Sequence, residues 1–182
     1  MAADWPSIAR RIRVPVGFIF AVGYLWLARP TGSSIAVGAV IAVPGLWLRG
    51  LASGHIEKNE QLTTSGPYAH TRNPLYLGSL ILAAAFAVAA RSPWIVLLMA
   101  LIFIGIYLPV IQSEEDFLRR TFPGFTEYSA RVPRLLPRWE RCAGGSGEFS
   151  WQLYRKHREY NAILGASGIF AVLLFKLLWM GH

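Results

Sequence analysis

Two short segments hold most of the side chains able to do chemistry, and both combine charge with turn-forming residues. The first reads Ser65-Gly66-Pro67-Tyr68-Ala69-His70-Thr71-Arg72-Asn73-Pro74-Leu75-Tyr76-Leu77-Gly78. Gly66-Pro67 forces a turn, Asn73 before a proline is held out of the helical region, and Pro74 suits the first turn of the apolar helix that follows. Free amides at that helix start favour an anion, and Arg72 beside them offers a planar fork of donors for a carboxylate. Gly78, one turn inside, allows a close approach to the backbone. A plain structural account also fits: a turn, a helix cap and an arginine that sets membrane orientation.

The second segment runs from Gln112 to Pro133 and opens with Glu114, Glu115 and Asp116 at the end of an apolar stretch. Three consecutive acids close to a bilayer are expensive unless cations pair with them. Glu115 with Arg119, and Asp116 with Arg120, stand at helical i,i+4 spacing and can form solvated pairs. Glu114 meets Leu118 at that spacing, so it is the carboxylate most in need of a partner from elsewhere. Pro123-Gly124 ends the helix.

Read together, G-P-Y-x-x-x-R-N-P-x-Y-x-G at the head of one span, E-E at the end of the next, and F-P-G-F-x-x-Y-x-x-R-V-P-R resemble the isoprenylcysteine carboxyl methyltransferase and phospholipid methyltransferase superfamily. The likeness covers roughly Leu62 to Pro137. It implies an integral membrane methyltransferase with S-adenosylmethionine as cofactor and a hydrophobic or lipid acceptor. It places Gly66, Pro67, Tyr68, Asn73, Pro74, Tyr76, Gly78, Glu114 and Glu115 around the cofactor, the glutamates toward its amino-acid end. Arg72, Glu115 and Arg131 are the expected catalytic residues: an arginine orients a carboxylate acceptor, whereas an amine acceptor must lose a proton to a glutamate. Asn73 stands where the superfamily commonly has histidine, and an amide cannot titrate. The acceptor stays open among prenyl-cysteine, phospholipid, a small thiol and other hydrophobic metabolites. An NADPH-dependent membrane reductase and a non-enzymatic lipid-binding scaffold are the alternatives.

These segments must be positioned by membrane helices. The chain of 182 residues is 54% hydrophobic and 15% charged, against about 45–50% and about 25% for soluble domains. A span needs about 20 apolar residues, and five stretches approach this: Ile12 to Ala28, Ser34 to Leu51, Leu75 to Ala90, Pro93 to Ile111 and, more weakly, Ala162 to Met180. The expected fold is all-α and polytopic, with four or five transmembrane helices and a cytoplasmic cofactor pocket built from loops and helix ends. Its organisation is an N-terminal hairpin (1–53), a catalytic region (54–138), and an interfacial segment with the fifth helix (139–182). Lys176 near the end of that helix is expected to snorkel to the headgroups.

A cytoplasmic N-terminus puts fifteen of the eighteen basic residues on the cytoplasmic side and leaves Arg29, Arg91 and Lys176 outside, as the positive-inside rule requires. Trp26, Trp94 and Trp179 then form an outer aromatic belt. The net charge of +8 suits anionic lipid rather than nucleic acid, because the basic residues are interleaved with the spans. Cys142, the single cysteine, excludes an internal disulfide and the usual structural zinc sites, and no metal ligand set is expected.

Overall fold

The computed structural model describes residues 5–57, 60–142, 144–145 and 147–180, and these are mostly helical with no strand among them. The main helices are α1 (Trp5–Leu27), α2 (Gly32–His55), α3 (Pro74–Ala90) and α4 (Pro93–Thr121). Two short ones, α5 (Phe125–Arg131) and α6 (Trp151–Lys156), precede α7 (Tyr160–Met180). Three are long and apolar enough to cross a membrane, over Gly32–His55, Pro93–Thr121 and Tyr160–Trp179. Shorter apolar helices, Pro15–Leu27 and Pro74–Ala90, lie among them. This is a multi-pass membrane protein. Large side chains such as Phe18, Val40, Leu101 and Phe175 face outward, where lipid replaces water as solvent.

With lipid outside, burying apolar surface does little to hold helices together, and close backbone packing has to do it. Small residues supply that packing where α2 meets α3. Ala42 and Ala85 are buried there, and a Cβ on Gly38 would lie 2.7 Å from the Ala85 carbonyl oxygen. A Cβ on Gly78 would lie 2.5 Å from Arg49 Cγ and 2.9 Å from the Gly45 carbonyl oxygen. The close approach expected at Gly78 is therefore made by α2.

Element ends follow from local chemistry. Thr31 and Ser34 form a reciprocal capping box at the start of α2, and Ser34 Oγ also donates to the Ala89 carbonyl at 3.0 Å. Pro93 begins α4 in the first-turn position where a missing N–H costs nothing. Near its middle α4 loosens into a π-helical turn, Phe103–Tyr107, just before Pro109. Proline has no N–H for the Gly105 carbonyl one turn back, and Trp5 Nε1 donates to that carbonyl at 3.0 Å.

Lys176 corrects the expectation of a snorkelling lysine. Its ammonium donates to the carbonyls of Leu25, Trp26 and Ala28, at 2.7 Å in the last case, and so closes the C-terminal end of α1. A cation at a helix C-terminus satisfies free carbonyls and meets the negative end of the helix dipole. The helix expected through the acidic residues is present, α4 continuing to Thr121 and ending just before Pro123-Gly124.

Candidate active site

Turn, helix start and helix end converge on one carboxylate. Gly66–Ala69 form a single 3-10 turn, entered through Gly66 at φ +55, where the His55 ring occupies the space a Cβ would need. The chain then reaches Arg72, whose backbone N–H donates to the Pro133 carbonyl at 2.9 Å and ties the first segment to the second. Asn73, held outside the helical region ahead of Pro74, donates from Nδ2 to Glu115 Oε1 at 3.0 Å and to the Arg134 carbonyl at 3.1 Å. Arg134 donates from Nε and Nη2 to Glu115 Oε2, at 3.1 and 2.9 Å. Arg72 Nη1 reaches the same oxygen at 3.4 Å. Glu115 is 3% exposed, and two guanidiniums and an amide make its burial affordable.

This reverses the expected division of labour between neighbouring glutamates. Glu115 does not pair with Arg119. Asp116 takes Arg119 instead, at i,i+3 and 3.0 Å, on the exposed face. Glu114, the residue without a helical partner, is exposed and accepts a hydrogen bond from Tyr76 Oη at 3.0 Å. Tyr76 also meets Tyr107 edge-on, with ring centroids 6.1 Å apart. Arg72 retains capacity, because its Nε is buried with no partner among the described residues.

Buried tyrosines brace the cluster. Tyr128 Oη donates to the Tyr68 carbonyl at 2.7 Å, joining α5 to the 3-10 turn. Burial pushes both phenols well above their ordinary range, with each phenol's neighbours contributing less. Both therefore remain protonated donors at any ordinary pH.

Arg131 is not brought to this cluster. It is 60% exposed on the last turn of α5 and pairs with Glu127 at i,i+4. The buried face of α5 carries Phe125, Tyr128 and Val132, which turns position 131 outward. Arg134, beyond Pro133, is the arginine that reaches Glu115, and sequence reasoning missed it. The signal was present in Arg131-Val132-Pro133-Arg134, but choosing between the two arginines needs the helix phase. Gly66, Pro67 and Pro74 shape the backbone here rather than presenting functional groups.

The chain after Pro137 also returns to this end. Arg138 N–H donates to the His70 carbonyl at 3.2 Å, Cys142 N–H to Ala69 at 2.9 Å, and Ser150 N–H to Gly54 at 2.8 Å. Between this strap and the turn lies a polar cavity of about 700 Å3, lined by His55, Glu57, Ser65, Glu148 and Lys156 among others. An apolar cleft of about 620 Å3 separates α1, α3 and α4 and is lined by Phe20, Ser79, Ala83, Met99, Phe103 and Tyr107 among others. Tyr107 thus touches both that cleft and Tyr76.

Comparison with known proteins agrees with the motif resemblance. A profile of phospholipid methyltransferases matches residues 33–124. The chain belongs to the phospholipid methyltransferase family. The family region carries Arg72, Asn73, Tyr76, Glu114 and Glu115, while Arg134 lies past its end. One relative, the cobalt-zinc-cadmium resistance protein CzcN of Cupriavidus metallidurans, is 35% identical over 119 residues, 65% of this chain and 53% of the relative. Another, the nickel-cobalt-cadmium resistance protein NccN of Alcaligenes xylosoxydans xylosoxydans, is 32% identical over 114 residues, 62% of this chain and 53% of the relative. The chain spans about half the length of both relatives. No solved structure matches it. Among the described residues no group of three or more His, Cys, Asp or Glu side chains is placed to hold a metal ion.

Proposed function

We propose that this protein transfers a methyl group from S-adenosylmethionine to a hydrophobic, membrane-associated acceptor through a carboxylate or amine nucleophile. The observation that carries the reading is the unequal pair at the end of α4. Glu115 is locked and neutralised by Arg134, Arg72 and Asn73, while its neighbour Glu114 is left accessible beside Tyr76. The residues fit the cofactor's chemistry. Glu114 offers a carboxylate for the ammonium, and the unsatisfied Arg72 Nε offers a donor for the carboxylate. The polar cavity of about 700 Å3 has cofactor size and meets the first segment at Ser65, its other walls coming from the loop before that segment and from the strap after Pro137.

When bound, the cofactor supplies an electrophilic methyl group on a sulfonium centre. The protein's task is then alignment, since an in-line displacement gains most from holding two reactants in register. Glu115 positions rather than reacts, because its oxygens are occupied. Asn73 does with two N–H donors on one nitrogen what a single imidazole nitrogen cannot, serving Glu115 and the Arg134 carbonyl together. The apolar cleft between α1, α3 and α4 gives a lipid tail a place beside Tyr107, which supports a hydrophobic acceptor.

In this reading five spans, including α1 and α3, leave the N-terminus and both motif segments cytoplasmic. Cysteines at Gln61 and Thr126 in a Cys142→Ser background label from the same side; labelling from opposite sides contradicts the topology. The activity is tested with purified protein, methyl-labelled S-adenosylmethionine and total membrane lipid or prenyl-cysteine extract. Label entering an extractable product in wild type, and more slowly in Glu114→Gln at sub-saturating cofactor, supports transfer. Absence of S-adenosylhomocysteine binding refutes it.

A further inference from the structure

The membrane end opposite Glu115 holds a second polar feature. The α1–α2 and α3–α4 turns enclose a cleft of about 510 Å3 lined by Trp26, Arg29, Arg91, Ser92, Pro93 and Trp94 among others. Arg29 N–H donates to the Ala90 carbonyl at 2.8 Å, which fastens the turns side by side and brings both guanidiniums to one opening. Among the described residues no carboxylate pairs with either guanidinium. No Asp or Glu occurs between Asp4 and Glu57, between Glu60 and Glu114, or after Glu159. Lys176, at the same end, is engaged with α1 carbonyls.

Two further details point to an oxyanion. Ser92 is 8% exposed, yet its hydroxyl neither caps α4 nor bonds any described residue, although hydroxyls at this position ordinarily bond an amide of the first turn. It stands at the start of the 29-residue helix α4, whose positive pole favours an anion. Arg91 occupies the left-handed region at φ 51, closing α3 where glycine is the usual and less strained choice. The exposed indoles of Trp26 and Trp94 flank the opening and suit headgroup depth.

We infer that this cleft binds the phosphate of an anionic phospholipid headgroup in the leaflet opposite the Glu115 cluster. Arg29, Arg91 and Ser92 supply the donors, and the two tryptophans set the depth. Free phosphate shares the oxyanion chemistry but has no acyl chains for the surrounding apolar helix faces. Ser92 and Glu115 are separated along α4 by about 34 Å at about 1.5 Å per residue. A lipid held here is therefore beyond reach of the candidate active site and serves to brace the two hairpin turns. This inference stands apart from the methyl-transfer reading.

The test is native mass spectrometry of the detergent-purified full chain, titrated with dimyristoyl phosphatidylglycerol, dimyristoyl phosphatidylcholine or inorganic phosphate. Arg29→Gln and Arg91→Gly are each expected to weaken phosphatidylglycerol binding about tenfold, with exposed Arg120→Gln at the other end unchanged. Arg91→Gly also relieves the backbone strain, so its melting temperature in lipid-free detergent should hold or rise, which separates lost binding from lost folding. Wild-type phosphatidylglycerol affinity in Arg91→Gly overturns the site. Arginine-dependent binding of inorganic phosphate without preference for phosphatidylglycerol over phosphatidylcholine overturns the lipid assignment.

Discussion

Glu115 and Glu159 are both nearly dry carboxylates held by arginine, and their surroundings differ in an instructive way. Glu159, just before α7, accepts from Arg49 Nε at 2.6 Å, and Arg49 also donates from Nη1 to Ser79 Oγ and the Leu75 carbonyl. That arrangement joins α2, α3 and α7. Around Glu115 one guanidinium is bidentate and the other reaches across 3.4 Å with its Nε unused, and the next residue along α4 is an exposed carboxylate. The Arg49 centre holds helices together with Nε and Nη1 engaged, whereas the Glu115 centre keeps a donor and an acceptor in reserve, as the proposed ligand-binding role requires. Because Arg49 is held in this ion pair, exposed Arg120 rather than Arg49 serves as the control for substitutions at Arg72.

The largest expected effect breaks the Glu115 centre. Glu115→Ala leaves the nearly buried Arg72 guanidinium without its partner, while the half-exposed Arg134 can turn to water, and should destabilise by about 3 kcal/mol, read as a fall in melting temperature in detergent. Glu159→Ala should do the same to the scaffold. A mild loss in Glu115→Ala would mean that water already compensates the centre.

Next is Gly78→Ala. Its Cβ meets Arg49 Cγ and the Gly45 carbonyl, so α2 and α3 must part at a cost of about 1–3 kcal/mol. S-adenosylhomocysteine affinity should stay unchanged once the melting temperature is allowed for. A selective loss of cofactor affinity would return Gly78 to the site.

Arg72→Lys sharpens the comparison at the active centre. Lysine keeps the charge but loses the fork, and methyl transfer should fall about 100-fold, roughly 2.7 kcal/mol of transition-state stabilisation, with folding intact. Arg120→Lys should retain full activity. If both variants match wild type, Arg72 has only an orienting role in the membrane.

The smallest effect falls on the exposed carboxylate. Glu114→Gln should weaken S-adenosylmethionine binding about tenfold by calorimetry while shifting stability by less than about 0.5 kcal/mol. Arg131→Lys should change neither quantity, because its pair with Glu127 is solvent-exposed. Loss of binding in Arg131→Lys would show that α5 moves inward in solution.

Much of this architecture was legible along the chain. Long apolar stretches bounded by Arg29, Arg91 and proline-started turns determined the all-helical, multi-pass class and the approximate helix ends, three of the helices being long and apolar enough to cross, since a lipid-exposed backbone must satisfy its own hydrogen bonds. The order of Gly66-Pro67-Tyr68, Arg72-Asn73-Pro74 and Glu114-Glu115 determined the family. Those are local properties: turn geometry, a capped helix start and hydropathy act through neighbouring residues.

Tertiary structure decided which side chains meet. The phase of α4 turned Glu115 inward and Glu114 outward, a rotation of about 100° between adjacent residues that composition cannot report. The buried face of α5 chose Arg134 over Arg131, and docking of α7 gave Lys176 the end of α1 and Glu159 the side chain of Arg49. The partners lie 19, 43, 110 and 148 residues apart for Arg134–Glu115, Arg72–Glu115, Arg49–Glu159 and Lys176–Ala28. Sequence determined the pieces because each is stabilised within a few residues; only helix packing, which fixes rotation and depth, determined the charge pairs.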